Sequence, residues 1–140
     1  SQLSRAFQQR RVFKEYQAVV DGLVEYGDGV VDLPLIADWP NRPLQKVCFE
    51  TGKAALTHWK VLERDAVRSR TRLRLRPVTG RSHQLRIHCR ELGHPILGCD
   101  LYAPEAVLAA SERLLLHAHR LAFNHPHTGL WSAFVSPVPF

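Results

Sequence analysis

The chain has no methionine among its 140 residues and three cysteines, Cys48, Cys89 and Cys99. An odd number of cysteines with no Cys-x-x-Cys pair implies no disulfide framework. It makes a reducing, cytoplasmic setting the expected one. Cys89, His94 and Cys99 can be combined with the pairs His117/His119 and His125/His127, but no such combination has a finger or ribbon spacing, so no metal site is expected. No apolar run approaches the ~18 residues of a membrane span, and no signal peptide opens the chain. Internal repeats, low-complexity tracts and linkers are missing too, so residues 1–140 are expected to form one unit. Lysine is scarce, with four against fifteen arginines.

That imbalance is the first positive signal. The formal net charge is +6 and the pI is near 9.7. The charge is carried mostly by guanidinium groups, which fork onto phosphate oxygens and stack on bases, whereas an ammonium acts as a solvated point charge. Nucleic acid is therefore the leading partner class. The competing reading is a basic protein whose charges only solvate its surface.

The opening, SQLSRAFQQRRVF, places Leu3, Ala6 and Phe7 at i, i+3 and i+4, the spacing of an amphipathic helix. No cap precedes it, and the expectation is a chain cut from a longer protein. Val12 to Val20 is rich in β-branched and aromatic residues and stops at Asp21-Gly22, which predicts a strand. A second, short strand is expected from Val30 to Leu33. Ile36 to Lys46, with two prolines, an Asn and a Trp, is expected to be a long ordered loop of functional importance. Ala55 to Leu62 alternates as a strand does. From Arg68 to Arg76, five arginines recur at i, i+2. They occupy one face of a strand, and Ser69, Thr71, Leu73 and Leu75 take the other. That face is either a charged, exposed sheet surface or a track for RNA.

In the stretch Pro77 to Pro95, PVTGRSHQLRIHCRELGHP, a turn leads to Ser82 as the expected N-cap. Gly93 and Pro95 mark the expected stop of a helix of about three turns. Leu85, Cys89 and Leu92 share the side that must face a core, and His83, Arg86 and Arg90 share another. A basic stripe beside a helix N-terminus suits a phosphate or carboxylate, although an ordinary solvated face has the same pattern. A short helix near Glu105 to Ala110, an apolar run from Leu114 to Phe123 and a last strand from Leu130 to Val135 complete the chain. Strands dominate, so the expected class is α+β with a largely antiparallel mixed sheet and a few flanking helices.

Thr79-Gly-Arg-Ser-His-Gln-Leu-Arg-Ile-His88, with Leu92-Gly-His-Pro-Ile-Leu-Gly98 and Leu101-Tyr102, resembles a sequence motif of the RluA family of pseudouridine synthases. Other segments agree in order. Lys14-Glu-Tyr16 with Gly22 resembles the family's K-x-Y segment. Thr51-Gly-Lys-Ala-Ala-Leu-Thr57, Leu114-Leu-Leu-His-Ala118 with His125-Pro126, and Phe134 with Pro137-Val-Pro139 resemble its later segments. Val31-Asp-Leu-Pro-Leu35 with Asp38-Trp-Pro-Asn-Arg-Pro43 is similar to the branch acting on 23S ribosomal RNA and a tRNA anticodon stem-loop. The resemblance implies the pseudouridine synthase catalytic-domain fold, incomplete at its N-terminus. It implies an isomerase that flips uridine from its stack, detaches the base, rotates it and rejoins it through carbon, with no cofactor and no metal.

By the same resemblance, Arg86 is the cation that pairs with the catalytic aspartate, a role suited to a guanidinium fork. Tyr16 is the tyrosine that stacks on the target base, and Leu85 lines the pocket floor. Arg81, His83 and Arg90, with Arg42 and Lys46 on the expected loop, are the further RNA contacts. The family's aspartate lies in an arginine-leucine-aspartate string followed by threonine-serine-glycine, ahead of the K-x-Y segment. No such string occurs here, and the six aspartates, Asp21, Asp28, Asp32, Asp38, Asp65 and Asp100, lie in other contexts. The expectation is a C-terminal portion of one catalytic domain, inactive alone and prone to self-association through uncovered sheet edges. The competing expectation is a basic RNA-binding module that never carried the aspartate.

Overall fold

The computed structural model describes residues 12–140; the expected helix through Leu3, Ala6 and Phe7 lies outside them. Six strands form one antiparallel sheet among these residues, in the order β2-β5-β6-β1-β7-β8. They are β1 (Val12–Asp21), β2 (Asp28–Asp32), β5 (Leu56–Asp65), β6 (Arg70–Pro77), β7 (Leu116–Asn124) and β8 (Trp131–Val135). A separate hairpin pairs β3 (Leu35–Ala37) with β4 (Gln45–Val47). Helix α1 (Gln84–Glu91) and the short helix α2 (Glu105–Ala109) complete the α+β architecture.

Strand alternation decides which side of the sheet is apolar. Along β6, Thr71, Leu73 and Leu75 are buried and the intervening arginines are half-buried. Leu73 and Leu75 join Ala18 and Val20 of β1, Trp59 of β5, and Leu85, Ile87 and Cys89 of α1 in the main core. The helix thus covers one face of the sheet, as Leu85, Cys89 and Leu92 require. Its end follows the expected pattern. Gly93 takes φ +94°, and the amides of Gly93 and His94 bond the carbonyls of Arg90 and Cys89 at 2.9 and 3.0 Å. A left-handed residue here costs glycine little.

Three expectations are corrected. The segment Ile36 to Lys46 is not a long loop: β3 and β4 flank a 3-10 turn (Trp39–Asn41). Strands of three residues are too short to show an alternation. Arg68 and Ser69 are not on the arginine strand, because they lie in the turn that precedes β6, with Ser69 at φ +54°. Ser82 is not the N-cap of α1. His83 occupies that position in a left-handed conformation, with no side-chain cap bond. Gln84 instead closes the entry turn, since its Oε1 accepts from the Arg81 amide at 3.1 Å and the Thr79 hydroxyl at 2.7 Å.

Candidate active site

Gln84 is one member of a buried polar chain that locks α1 to the sheet. Its Nε2 donates to the Leu56 carbonyl and to Thr57 Oγ1, both at 3.0 Å. His88 is 1% exposed and bonds the Leu33 carbonyl through Nε2 at 3.0 Å and Thr57 Oγ1 through Nδ1 at 2.8 Å. A carbonyl only accepts, so Nε2 carries the proton and the Thr57 hydroxyl donates to Nδ1. Burial, the dominant cause, lowers the His88 pKa, and the Leu33 carbonyl opposes the shift. The buried polar groups of Gln84 and His88 are thus satisfied by Thr79, Thr57 and the Leu33 and Leu56 carbonyls, which ties the helix to the strands beneath it.

With α1 fixed, its first turn borders a cleft of about 690 Å³, within the range of small-molecule sites. Tyr16 of β1, Arg81 and His83 of the entry turn, and Leu85 and Arg86 of α1 all line it, as does Lys14 of β1. Among the described lining residues there is no Asp or Glu, so the cleft carries positive charge and suits an anion. Lys14 donates toward the Thr79 carbonyl at 3.4 Å, and burial lowers its pKa. Arg86 Nη1 stands 3.5 Å from Oδ1 of Asp100, an exposed carboxylate. Arg81 Nε is tied to the Ala54 carbonyl at 2.9 Å.

The structure therefore gathers five expected residues, Tyr16, Arg81, His83, Leu85 and Arg86, at one cleft. Arg90, Arg42 and Lys46 are not among its lining residues. Arg90 points its guanidinium at the Tyr102 ring, 5.4 Å from the centroid, and bonds Glu91 at 3.0 Å. Arg42 lies 4.9 Å from the centre of the Trp39 ring, and Lys46 is exposed on β4.

Tyr102 was not among the expected functional residues, although the Leu101-Tyr102 pair stood within the quoted segments. It is 6% exposed, and its hydroxyl accepts from the Gln45 amide at 3.0 Å while contacting His83 Nδ1. With the amide as donor, the hydroxyl proton is free to point at the imidazole, which must then be neutral. Burial first, and then the Arg86 charge, lower the His83 pKa in agreement. Nothing in the sequence marks this three-way contact, which joins residues far apart in the chain.

The arginine row faces an acid. Glu15 of β1 is 4% exposed, and its carboxylate meets Arg76 at 3.0 Å, Arg120 at 3.5 Å and Arg74 at 3.9 Å. Arg72 bonds Gln17 at 3.3 Å and the Phe140 carbonyl at 2.8 Å. The histidine pairs have local partners: His117 and His119 bond the hydroxyl and carbonyl of Ser136 at 3.0 and 2.7 Å. No group of three or more His, Cys, Asp or Glu among the described residues is placed to hold a metal ion.

An antiparallel sheet backed by a pinned helix, with a cationic cleft beside them whose described lining holds no acid, defines an α+β domain with a site for an anionic ligand. Residues 1–91 match the family described as RNA pseudouridylate synthase, and the chain belongs to that family. It is 54% identical over 139 residues to a dual-specificity RNA pseudouridine synthase RluA of Pasteurella multocida, covering 99% of this chain and 63% of the relative. The protein of that name from Vibrio cholerae is 49% identical over 140 residues, covering 100% of this chain and 56% of the relative. The chain thus spans about six-tenths of the length of these relatives. Among solved structures, human RNA pseudouridylate synthase domain containing 1 superposes with a TM-score of 0.83 at 29% identity, over 98% of this chain and 59% of that one. Human RNA pseudouridylate synthase domain containing 4 gives 0.75 at 25%, over 99% and 62%.

Proposed function

We propose that the whole protein isomerises uridine to pseudouridine in RNA, without cofactor or metal, and that residues 1–140 form part of its catalytic domain. The observation that carries this reading is the meeting of Tyr16 and Arg86, distant in sequence, at one cleft of about 690 Å³ with no acid among its described lining residues. In this reading the cleft receives a flipped uridine, and Tyr16 stacks on its ring. Leu85 forms the apolar floor. Arg86 holds a catalytic carboxylate in its attacking orientation by a charge-assisted fork. That carboxylate comes from a segment outside the 140 residues, because the family's arginine-leucine-aspartate string is not among them. Asp100 Oδ1 lies 3.5 Å from one guanidinium nitrogen, Nη1, of Arg86. Arg81 and His83 at the rim, with Arg90, Arg42 and Lys46 beyond it, contact the RNA.

The substrates we infer are 23S ribosomal RNA and a tRNA stem-loop, in the cytoplasm. Relatives named dual-specificity RNA pseudouridine synthase support this reading. The 140-residue chain by itself is inferred to be inactive and to self-associate through the edge strand β8, where Trp131, Phe134 and Val135 are 59%, 58% and 64% exposed. The reaction breaks the N1–C1′ bond, forms a C5–C1′ bond, releases the C5 proton to solvent and leaves N1 protonated in its place. Tritium release from RNA carrying 5-tritiated uridine therefore counts turnovers. Whole protein should release it from a tRNA anticodon stem-loop or a ribosomal stem-loop. RNA binding with no release would favour a non-catalytic RNA-binding module.

A further inference from the structure

The β3–β4 hairpin carries an aromatic ring that the fold does not use. Trp39 is 67% exposed, whereas Trp59 in the core is 7% exposed. Leaving an indole in water forgoes the burial that makes large aromatics contribute to folding. The tip that carries it is braced. The Asp38 amide bonds the Leu44 carbonyl at 2.9 Å, the Asn41 amide bonds the Asp38 carbonyl at 2.9 Å, and the Leu44 amide bonds the Asn41 carbonyl at 3.1 Å. Asn41 Nδ2 also donates to Asp38 Oδ2 at 3.0 Å, which occupies the acid of the tip. Pro40 and Pro43 each fix a φ angle. Trp39 is thus displayed on a stiff support, with the Arg42 guanidinium 4.9 Å from the ring centre and Lys46 exposed on the adjoining strand.

The hairpin is also registered to the cleft. The Gln45 amide of β4 bonds the Tyr102 hydroxyl, which contacts His83 at the cleft rim. Arg90 lies against the same tyrosine ring. The hairpin is therefore bonded to the same tyrosine that meets His83 and Arg90, and the cations Arg42 and Lys46 lie on the hairpin side of that junction. An aromatic face joined to a guanidinium and followed by cations is the chemistry that holds an unpaired nucleotide: a base stacks on the ring and the phosphates meet the charges.

We propose that Trp39 and Arg42 form a second base-binding platform, which stacks an unpaired nucleotide of the RNA substrate outside the cleft. Lys46 meets the neighbouring phosphate. Tyr102 is a positioning residue that fixes the platform's distance from the cleft. The inference rests on the RNA reading above and adds to it where the loop is gripped.

The test uses the whole protein and two RNAs of equal length, a stem-loop with a single-stranded uridine-containing loop and a blunt duplex. Trp39→Ala should weaken stem-loop binding about 10-fold, the equivalent of one lost stack, and leave duplex binding unchanged. KM for the stem-loop should rise by the same factor while kcat at saturation holds. Trp39→Phe should keep most of the affinity. Stem-loop addition should quench the fluorescence of a variant whose only tryptophan is Trp39. Unchanged stem-loop affinity in Trp39→Ala, or an equal loss on duplex, would overturn the platform and leave the tip to a protein partner. If the wild type never turns over but the stem-loop-selective loss appears, the isomerase reading fails and the platform stands.

Discussion

His88 separates two meanings of a histidine in a basic stretch. By sequence it sits among residues that resemble a catalytic motif; in the fold it is a buried clamp between Leu33 and Thr57. Replacing it with alanine leaves the Leu33 carbonyl and the Thr57 hydroxyl short of a partner and opens a void. His88→Ala should therefore lower stability by about 3 kcal/mol in a denaturant titration. Its protonation has a defined sign. Burial puts the folded-state pKa below the unfolded value, near 6.5 for a free histidine. Between those two values the unfolded chain binds more protons than the folded one, so stability rises with pH there and is fully present above about 6.5. It declines as pH falls through that value. His88→Gln should flatten this decline, and an unchanged slope would remove His88 as its source. Helical spacing does separate the two histidines of the motif, since His88 lies three residues after Leu85 and four before Leu92 on the core side, while His83 shares the face of Arg86 and Arg90. What the spacing does not contain is the pair of partners, Leu33 and Thr57, brought by the strands beneath.

Among the elements, β6 shows how far a pattern carries. The i, i+2 spacing placed the arginines on one face, and Arg70, Arg72, Arg74 and Arg76 do share it. What the spacing could not contain is the counter-charge. Glu15 comes from β1, paired with β6 through a long-range register in which Gln17 faces Arg74. Two members of the row, Arg74 and Arg76, are thus paired with Glu15, and Arg72 is tied to Gln17 and the Phe140 carbonyl. Glu15→Ala should lower stability by about 2 kcal/mol, less than for a fully buried pair because the guanidinium groups are partly solvated. Added salt should restore part of the loss. A variant as stable as wild type would mean a solvated arginine face, open to RNA after all. The hairpin was illegible for a different reason. Its strands are fixed by pairing with each other, and the two prolines between them read as loop signals.

At the scale of the molecule, the strand content and the helix through residues 84–91 were readable because each buries a periodic apolar face. The cleft was readable only as a resemblance, since its walls come from β1, β7 and α1. The edge of the sheet gives a prediction about the 140-residue chain alone. Light scattering on dilution should show concentration-dependent oligomers, and Phe134→Lys on β8 should reduce them by placing a charge on the exposed edge. A monodisperse monomer at every concentration would contradict this. The central claim concerns Arg86, and whole protein carrying Arg86→Ala tests it most directly through tritium release and RNA affinity measured together. Losing the carboxylate's counter-ion should cut kcat on the order of 10³-fold, with the dissociation constant for the stem-loop changed by no more than about 2-fold, well under 1 kcal/mol. Turnover retained in Arg86→Ala, with RNA binding intact, would contradict the assignment of Arg86 and with it this account of the site.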